Sequence, residues 1–334
     1  MKSRHIRMIV YPTLIVCYIS FIITTPAFEQ LTQQTEFTDT GTIDYFSCHQ
    51  HDCPTLLTTL LEESETAECA FYELDTELIP VPDHAHILKY DHDDPDPPST
   101  ETITPVPSKS LMHHKFCIFN NKAVLTGTWN PTYRGSYVND NSVLLVRSSV
   151  IAGLYEKEYQ RLLSRTDNTK QEILHPTTPY TITLSNVTVR LSFSPQQQTE
   201  DLVADYLEQA NASIKILSFM FTSDPLGKLL ADKTDDVDIQ GVFEATGTGT
   251  YSEYKRLREA GADVMTDGNP GFMHQKLMMI DSSVLIIGSY NPTKNARERN
   301  DENLLVIEDP DLVDDVGRDY DRIWTQALVE AAEQ

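Results

Sequence analysis

Histidine and lysine side chains stand two residues apart in the stretch MHQKLMMIDSSVLIIGSYNPT at residues 273–293. In an extended strand, residues i and i+2 point to the same face, so His274 and Lys276 would lie side by side. An imidazole beside an ammonium group favours an anionic ligand. The stretch reaches Asp281 at a turn and then carries Gly-Ser-Tyr-Asn at residues 288–291. This pattern predicts an anion site on one face of a sheet.

A second copy of the stretch, MHHKFCIFNNKAVLTGTWNPT, occupies residues 112–132. Every matched position is separated by the same offset of 161 residues, so the register does not slip. Such self-similarity marks a structural repeat. The matched pairs are His113 with His274, Lys115 with Lys276, Gly127 with Gly288, Thr128 with Ser289 and Asn130 with Asn291.

The repeated pattern His-x-Lys-x4-Asp-x6-Gly-Ser-x-Asn resembles that of the phospholipase D superfamily, which includes phospholipases, cardiolipin-processing enzymes and small nucleases. The resemblance covers essentially the whole chain after its N-terminal segment. It implies an α/β fold of two tandem α-β-α sandwich domains related by a pseudo-twofold axis. It also implies a metal-independent phosphodiesterase without a cofactor, which forms a covalent phosphohistidine that water or an alcohol then releases.

Attack on a phosphodiester without a metal needs a neutral imidazole as nucleophile, a protonated imidazole for the leaving oxygen, and cationic donors for the other oxygens. One motif supplies half of these groups, so both copies must meet at one phosphate. The resemblance assigns the nucleophile to His113 and the acid to His274. The predicted catalytic set is His113, Lys115, Asn130, His274, Lys276, Asn291, Asp281 and Glu302, with Thr128 and Ser289 as substrate-binding residues.

The two copies differ at two positions. Asn120 stands where the superfamily has Asp, but Asn and Asp both bond to the backbone of a tight turn, so only a charge is lost. Relatives orient an imidazole with a Glu, and the residue 28 positions beyond each motif histidine is Glu302 in one copy and Asn141 in the other. We therefore expect unequal roles for the two histidines. The alternative is an inactive descendant that binds phosphate without turnover.

Strands alternate with helices in both halves, which predicts an α/β sandwich in each. The first half has a leucine-rich helix in PTLLTTLLEESETA and a strand in ECAFYELD, and the second repeats the plan in VTVRLSFSP, TEDLVADYLEQANA and SIKILSFMFTSD. Each half ends on a helix, at residues 150–165 and 311–332. Before its motif, the second half is predicted to form helix, strand, helix and strand. The first half instead carries a proline-rich, acidic stretch at 91–107, which predicts an exposed loop or a lid.

The predicted domains are residues 40–165 and 181–334, joined by a linker at 166–180. Residues 1–27 carry a basic cluster, an apolar run and a small-residue site, which is typical of a secretory signal peptide. An uncleaved membrane anchor is the alternative, although the run is short for a bilayer and contains Pro12. Either interpretation places the catalytic domains outside the cytoplasm. Since both half-sites lie in one chain, we expect a monomer.

Net charge restricts the substrate classes. The chain carries −24, from 50 acidic and 26 basic residues, so its average surface repels nucleic acid and anionic membranes. Compact halves and predicted export favour nuclease-like hydrolysis of nucleic acid. The alternative is hydrolysis or transfer of a phospholipid headgroup at the outer face of a membrane, which an uncleaved anchor would favour.

The cysteines outside the N-terminal segment fall into two groups. Cys48 and Cys53 bracket CHQHDC, which predicts a small disulfide loop in an exported protein, or a zinc site with His49 and His51. Cys69 and Cys117 lie in apolar strands and are predicted to be buried thiols.

Overall fold

Two β-sheets, one for each half of the repeat, carry the two motifs. The computed structural model describes residues 34–90, 100–106, 110–166 and 174–333. The predicted signal peptide at 1–27 and residues 91–99 of the predicted loop lie outside these ranges. Within the described ranges, no helix is both long and apolar enough to cross a membrane.

The strands of the described residues are, in chain order, β1 (Glu36–Asp39), β2 (Thr42–Ser47), β3 (Ala67–Phe71), β4 (Ala85–Lys89), β5 (Ile103–Pro105), β6 (Lys115–Phe119), β7 (Ala123–Gly127), β8 (Ser142–Arg147), β9 (Tyr180–Leu184), β10 (Val187–Ser194), β11 (Ser213–Ser218), β12 (Asp238–Phe243), β13 (Asp263–Thr266), β14 (Lys276–Ile280), β15 (Val284–Gly288) and β16 (Glu302–Glu308). One sheet has seven strands in the order β2-β8-β7-β6-β3-β4-β5. The other has nine, in the order β1-β9-β10-β16-β15-β14-β11-β12-β13. Both motif strands, β6 and β14, lie inside their sheets.

The helices cover the sheet faces, as the alternation of strands and helices predicts. Their bounds are α1 (Cys53–Glu63), α2 (Tyr133–Tyr137), α3 (Ser149–Ser164), α4 (Thr199–Gln209), α5 (Asp224–Lys233), α6 (Tyr254–Glu259), α7 (Lys294–Glu298) and α8 (Pro310–Glu333). Helices α3 and α8 each contact strands of both sheets. The largest apolar core joins these two helices to the two sheets, and a smaller core lies on the far face of each sheet.

The N-terminal strand β1 does not join the sheet of its own half. It pairs in parallel with β9, from Glu36 opposite Thr181 to Asp39 opposite Leu184. The chain from Glu36 onward forms one compact unit. The first half is therefore attached to the second sheet by hydrogen bonds upstream of the predicted first domain.

The region between strand and motif follows the prediction in the second half, where α5, β12, α6 and β13 succeed one another. The first half departs from it. Strands β4 and β5 add to β3 in parallel, with Ile87 opposite Ile103, although β5 falls inside the stretch predicted as a loop. Proline at the end of an edge strand costs few ladder hydrogen bonds, and this explains how Pro105 is accommodated.

The four cysteines in the described part of the chain form two disulfides. Cys48 bonds to Cys53 with 5.3 Å between their Cα atoms, which agrees with the disulfide interpretation and not with the zinc alternative. The prediction of buried thiols at Cys69 and Cys117 is wrong, because these residues are bonded to each other. They lie directly opposite on the antiparallel strands β3 and β6, a pairing that the sequence of either strand alone does not reveal.

The two halves contact each other through equivalent pairs of residues just before each motif strand. The N–H of His113 donates to the carbonyl of Asp301 at 2.9 Å, and that of His274 donates to the carbonyl of Asp140 at 3.0 Å. Arg161 pairs with the Asp301 carboxylate at 2.6 Å, and Arg322 pairs with that of Asp140 at 2.5 Å. The aspartates, like the arginines, are separated by the repeat offset. The interface therefore has the predicted twofold pattern.

Replacing Arg161 by Met should destabilise the protein by about 3–5 kcal/mol, because it leaves the buried Glu158 carboxylate without its arginine and leaves Asp301 with only the partly exposed Arg165. The matched variant Arg322→Met should cost less, since the Arg322 side chain is 22% exposed and that of Arg161 only 1%. Urea unfolding followed by circular dichroism measures both. Equal losses for the two variants would contradict the importance of burial at this contact.

Candidate active site

Both motif histidines face one cleft. His113 and His274 lie two residues before β6 and β14, and each is 7% exposed. The cleft has a volume of about 1160 Å³ and is lined by residues of both halves, including both imidazoles and the motif amides Asn130 and Asn291. The predicted convergence of two half-sites on one cavity is thus present in the structure.

The orienting hydrogen bonds cross between the halves. Nδ1 of His113 donates to Oε2 of Glu302 at 2.7 Å, and Nδ1 of His274 donates to Oδ1 of Asn141 at 2.9 Å. Each orienting residue therefore follows the motif of the opposite half. These bonds fix the tautomer of both rings and leave Nε2 as the nitrogen available for chemistry. One ring is held by a carboxylate and the other by a neutral amide.

The motif lysines lie behind the histidines, at the first positions of β6 and β14. Lys115 Nζ donates to the His113 carbonyl at 2.7 Å, and Lys276 Nζ donates to the His274 carbonyl at 2.8 Å. Both side chains are buried. Their ammonium groups can therefore act on an anion in the cleft from nearly dry surroundings, where electrostatic interactions are strong.

An aromatic side chain packs on each His-Lys pair, and the sequence analysis did not identify it. Tyr72 lies 4.9 Å from the His113 ring and 5.1 Å from the Lys115 ammonium. Phe219 lies 4.6 Å from the His274 ring and 4.8 Å from Lys276. Each is the first residue after the strand that pairs with the motif strand, so the signal was an aromatic residue at the same place in both halves.

Protonation of the buried histidines and lysines of the site is unfavourable. Burial first, and then the nearby lysines, hold the pKa values of His113 and His274 well below 6.5. Burial lowers the pKa of Lys115 to about 7 and that of Lys276 well below its usual range. Burial also raises the pKa of Glu302 to about 7. An anion bound among these basic groups would offset their mutual repulsion.

Thr128 and Ser289, predicted to bind substrate, are fully buried behind the cleft instead. The Ser289 hydroxyl donates to Glu302 Oε2 at 2.7 Å, and the Thr128 hydroxyl donates to Asn141 Oδ1 at 3.0 Å. They therefore hold the two orienting residues. The preceding glycines are needed because a Cβ at Gly127 or Gly288 would collide with a backbone carbonyl of the adjacent strand.

Asp281, predicted with the catalytic residues, is not brought to the cleft. Its carboxylate accepts hydrogen bonds from the backbone N–H groups of residues 211–213 at 2.8–2.9 Å. Asn120 does the equivalent in the first half, accepting from the N–H groups of Glu65 and Thr66. Both residues have positive φ, 50° and 52°. The position fixes a turn, so the exchange of Asp for Asn leaves the site geometry unaltered.

His114 points away from the cleft, as its position in the strand predicts. It is buried, and Nε2 contacts Glu158 Oε1 at 2.7 Å. Glu158 also binds Arg161, which links this group to the contact between the halves. His114 also contacts Asn303 of the second half through Nδ1, so it is part of a buried polar network between the halves.

Comparison of the sequence with known proteins identifies a family and several relatives. The family model described as cardiolipin synthase, PLD-like domain matches residues 97–163 and 203–324, more than half of the chain. The human mitochondrial cardiolipin hydrolase is 36% identical over 121 residues, which are 35% of this chain and 47% of the relative. The phospholipase D of Rickettsia bellii is 30% identical over 133 residues, 39% of this chain and 66% of the relative. The match thus spans roughly half to two thirds of each relative.

The overall fold resembles a solved structure over most of its length. The phosphatidylserine synthase of Haemophilus influenzae Rd KW20 superposes with a TM-score of 0.63, covering 85% of this chain and 86% of the other. Sequence identity is 13%. This likeness supports the two-half α/β architecture.

In the ligand-free protein, both motif histidines should titrate below pH 6.5, because burial and two nearby ammonium groups oppose their protonation. The imidazole resonances in a histidine-labelled sample, followed by NMR from pH 4 to 8, measure this. Lys115→Gln removes one of the charges and should raise the pKa of His113. A midpoint at or above 6.5 in the native protein, or no rise in the variant, would refute the electrostatic account.

Proposed function

The chain belongs to the family of cardiolipin synthase, PLD-like domains, and from this premise we propose that it is a phosphodiesterase that works through a phosphohistidine intermediate. The observation that carries the proposal is the pair of oriented imidazoles in one cleft, each beside a buried lysine. Two such groups are what metal-independent transfer at phosphorus requires.

The unequal orienting residues support His113 as the nucleophile. When Nε2 of His113 attacks phosphorus, the P–O bond to the leaving group breaks and the ring becomes cationic. The Glu302 carboxylate, 2.7 Å from Nδ1, stabilises that cation. Attack by water then breaks the P–N bond and returns the ring to its neutral form.

The same asymmetry suits His274 as the acid. Its protonated Nε2 gives the leaving oxygen its proton, and the neutral ring then accepts a proton from the attacking water. Asn141 orients this ring without stabilising its cation, so the proton is released readily. Lys115, Lys276 and the amides of Asn130 and Asn291 are assigned to the non-bridging phosphate oxygens.

We propose nucleic acid, in single-stranded form, as the substrate. The cleft is lined by aromatic rings, among them Tyr72 and Phe219, and by many asparagine amides, which can bond to base edges. The net charge of −24 repels nucleic acid from most of the surface, so binding has to rely on the cations that are concentrated in the site. The two disulfides fit the proposed location outside the cytoplasm, where the environment is oxidising.

A phospholipid is the second candidate, and one wall of the cleft favours it. Tyr72 and Tyr90 stack with centroids 5.5 Å apart, and Glu73 and Asp75 line the same wall. Aromatic faces beside carboxylates suit a cationic headgroup. The names of the relatives, a cardiolipin hydrolase and a phospholipase D, agree with such a substrate.

Purified protein should cleave labelled single-stranded DNA with EDTA present, since the scheme uses no metal. Phosphatidylcholine vesicles, assayed in parallel for released headgroup, test the second candidate. His113→Ala and His274→Ala should each lower the rate by about 10³-fold or more, because the two rings act as a unit. Loss of activity with chelator, or a near-normal rate in either variant, would exclude the mechanism. Phosphate binding without turnover would identify the inactive alternative.

Glu302→Gln should lower kcat by roughly 10²- to 10⁴-fold, because a neutral amide cannot stabilise the His113 cation. The matched change Asn141→Asp adds a carboxylate beside His274 instead. It should raise the pKa of that ring and move the alkaline limb of the rate profile to higher pH. Should Asn141→Asp be the more damaging change and Glu302→Gln nearly silent, the two histidines have the opposite roles.

A further inference from the structure

Aromatic rings follow one another from His274 to the protein surface. Phe219 packs on His274, and Phe272 lies 5.7 Å from Phe219. Tyr133 lines the same cleft, and its ring lies 5.3 Å from that of Tyr137. Phe219 is half-buried, and the exposed fraction is 36% for Phe272, 63% for Tyr133 and 54% for Tyr137. We call Phe219, Phe272, Tyr133 and Tyr137 the aromatic row.

Both halves build the aromatic row. Tyr133 and Tyr137 belong to α2 of the first half, and Phe219 and Phe272 come from the second. Arg134 joins the two parts, because its guanidinium lies 5.2 Å from the Phe272 ring. Within the described part of the chain, the Arg134 side chain makes no ion pair, so its charge is available to a ligand.

The fold itself does not require these rings. Applying the repeat offset of 161 to the outer three positions gives Leu111 for Phe272, Lys294 for Tyr133 and Glu298 for Tyr137. Lys294 and Glu298 approach each other within 4.0 Å on the surface. The aromatic side chains are therefore a property of one side of the cleft and not of the architecture.

We propose that the aromatic row binds the bases of a single nucleic acid strand next to the scissile phosphate, on the His274 side. The inference rests on the proposed function and specifies its substrate site. Aromatic faces stack on any base, and the Arg134 guanidinium beside Phe272 can bind a phosphate of the same strand. Since His274 is assigned to the leaving oxygen, the row would hold the leaving strand.

A lipid surface fits the aromatic row less well. Phe219 and Phe272 line the cleft instead of standing on a flat face, and asparagines such as Asn139 and Asn295 line it with them. Amides that enter acyl chains would lose hydrogen bonds to water, whereas base edges replace those bonds.

The test measures binding separately from turnover. A fluorescent thymidine oligonucleotide and a strand of the same length without bases are titrated by anisotropy, and their cleavage is followed in parallel. Phe272→Ala should raise the Kd of the oligonucleotide roughly 5- to 150-fold, the range for loss of one base-stacking contact, and leave that of the base-free strand within twofold. Phe272→Trp should restore binding. Tyr251→Ala, at an 85% exposed aromatic outside the cleft lining, is the control and should change neither.

Equal weakening of both strands by Phe272→Ala, or no weakening of either, would overturn the inference. So would a loss of phosphatidylcholine vesicle binding in that variant with oligonucleotide affinity unchanged. Binding that depends on Phe272 without any cleavage would support the aromatic row as a base site and refute the proposed nuclease activity. The two proposals can therefore fail independently.

Discussion

The site depends on hydrogen bonds between the halves, because a residue of the opposite repeat orients the ring of each motif histidine. His113 is held by Glu302, and His274 by Asn141. The backbone repeats the pattern, since each histidine N–H donates to an aspartate carbonyl of the other half. Neither half can fix its own imidazole, so the geometry of the cleft exists only where the two sheets are docked. The buried contacts of Arg161 and Arg322 stabilise that docking.

This arrangement concentrates basic groups inside an acidic protein. Two imidazoles line one cleft, two buried ammonium groups lie behind them, and burial lowers the pKa of each. The basic groups of the substrate-free site therefore oppose each other's protonation. A bound anion reduces this repulsion because its negative charge balances theirs. The rest of the acidic surface keeps polyanions from binding elsewhere.

The half-sites can be predicted from the sequence because the two motifs keep one offset. Most helices and strands can be predicted because apolar periodicity is a local signal. Sequence reasoning missed features that arise between distant segments. The spacing of Glu302 from His274 does not reveal that its carboxylate orients His113. The positions of Ser289 and Thr128 in the motif predict contact with substrate, but the packing of the strands buries both hydroxyl groups behind the cleft. The Cys69–Cys117 bond and strand β5 likewise depend on which strands become neighbours, and no single stretch of sequence shows this.

Strand β1 gives the molecule an unusual connectivity. Residues 36–39 lie in the nine-stranded sheet of the second half. The strands within residues 42–147 form the seven-stranded sheet, and the chain then returns to the nine-stranded sheet. The polypeptide thus passes twice between the sheets, before and after the first motif. If the backbone were broken between the two repeats, the β1–β9 ladder would still join the two fragments. The first repeat is thereby anchored at both of its ends, and the peptide bond between the repeats is not what keeps them together.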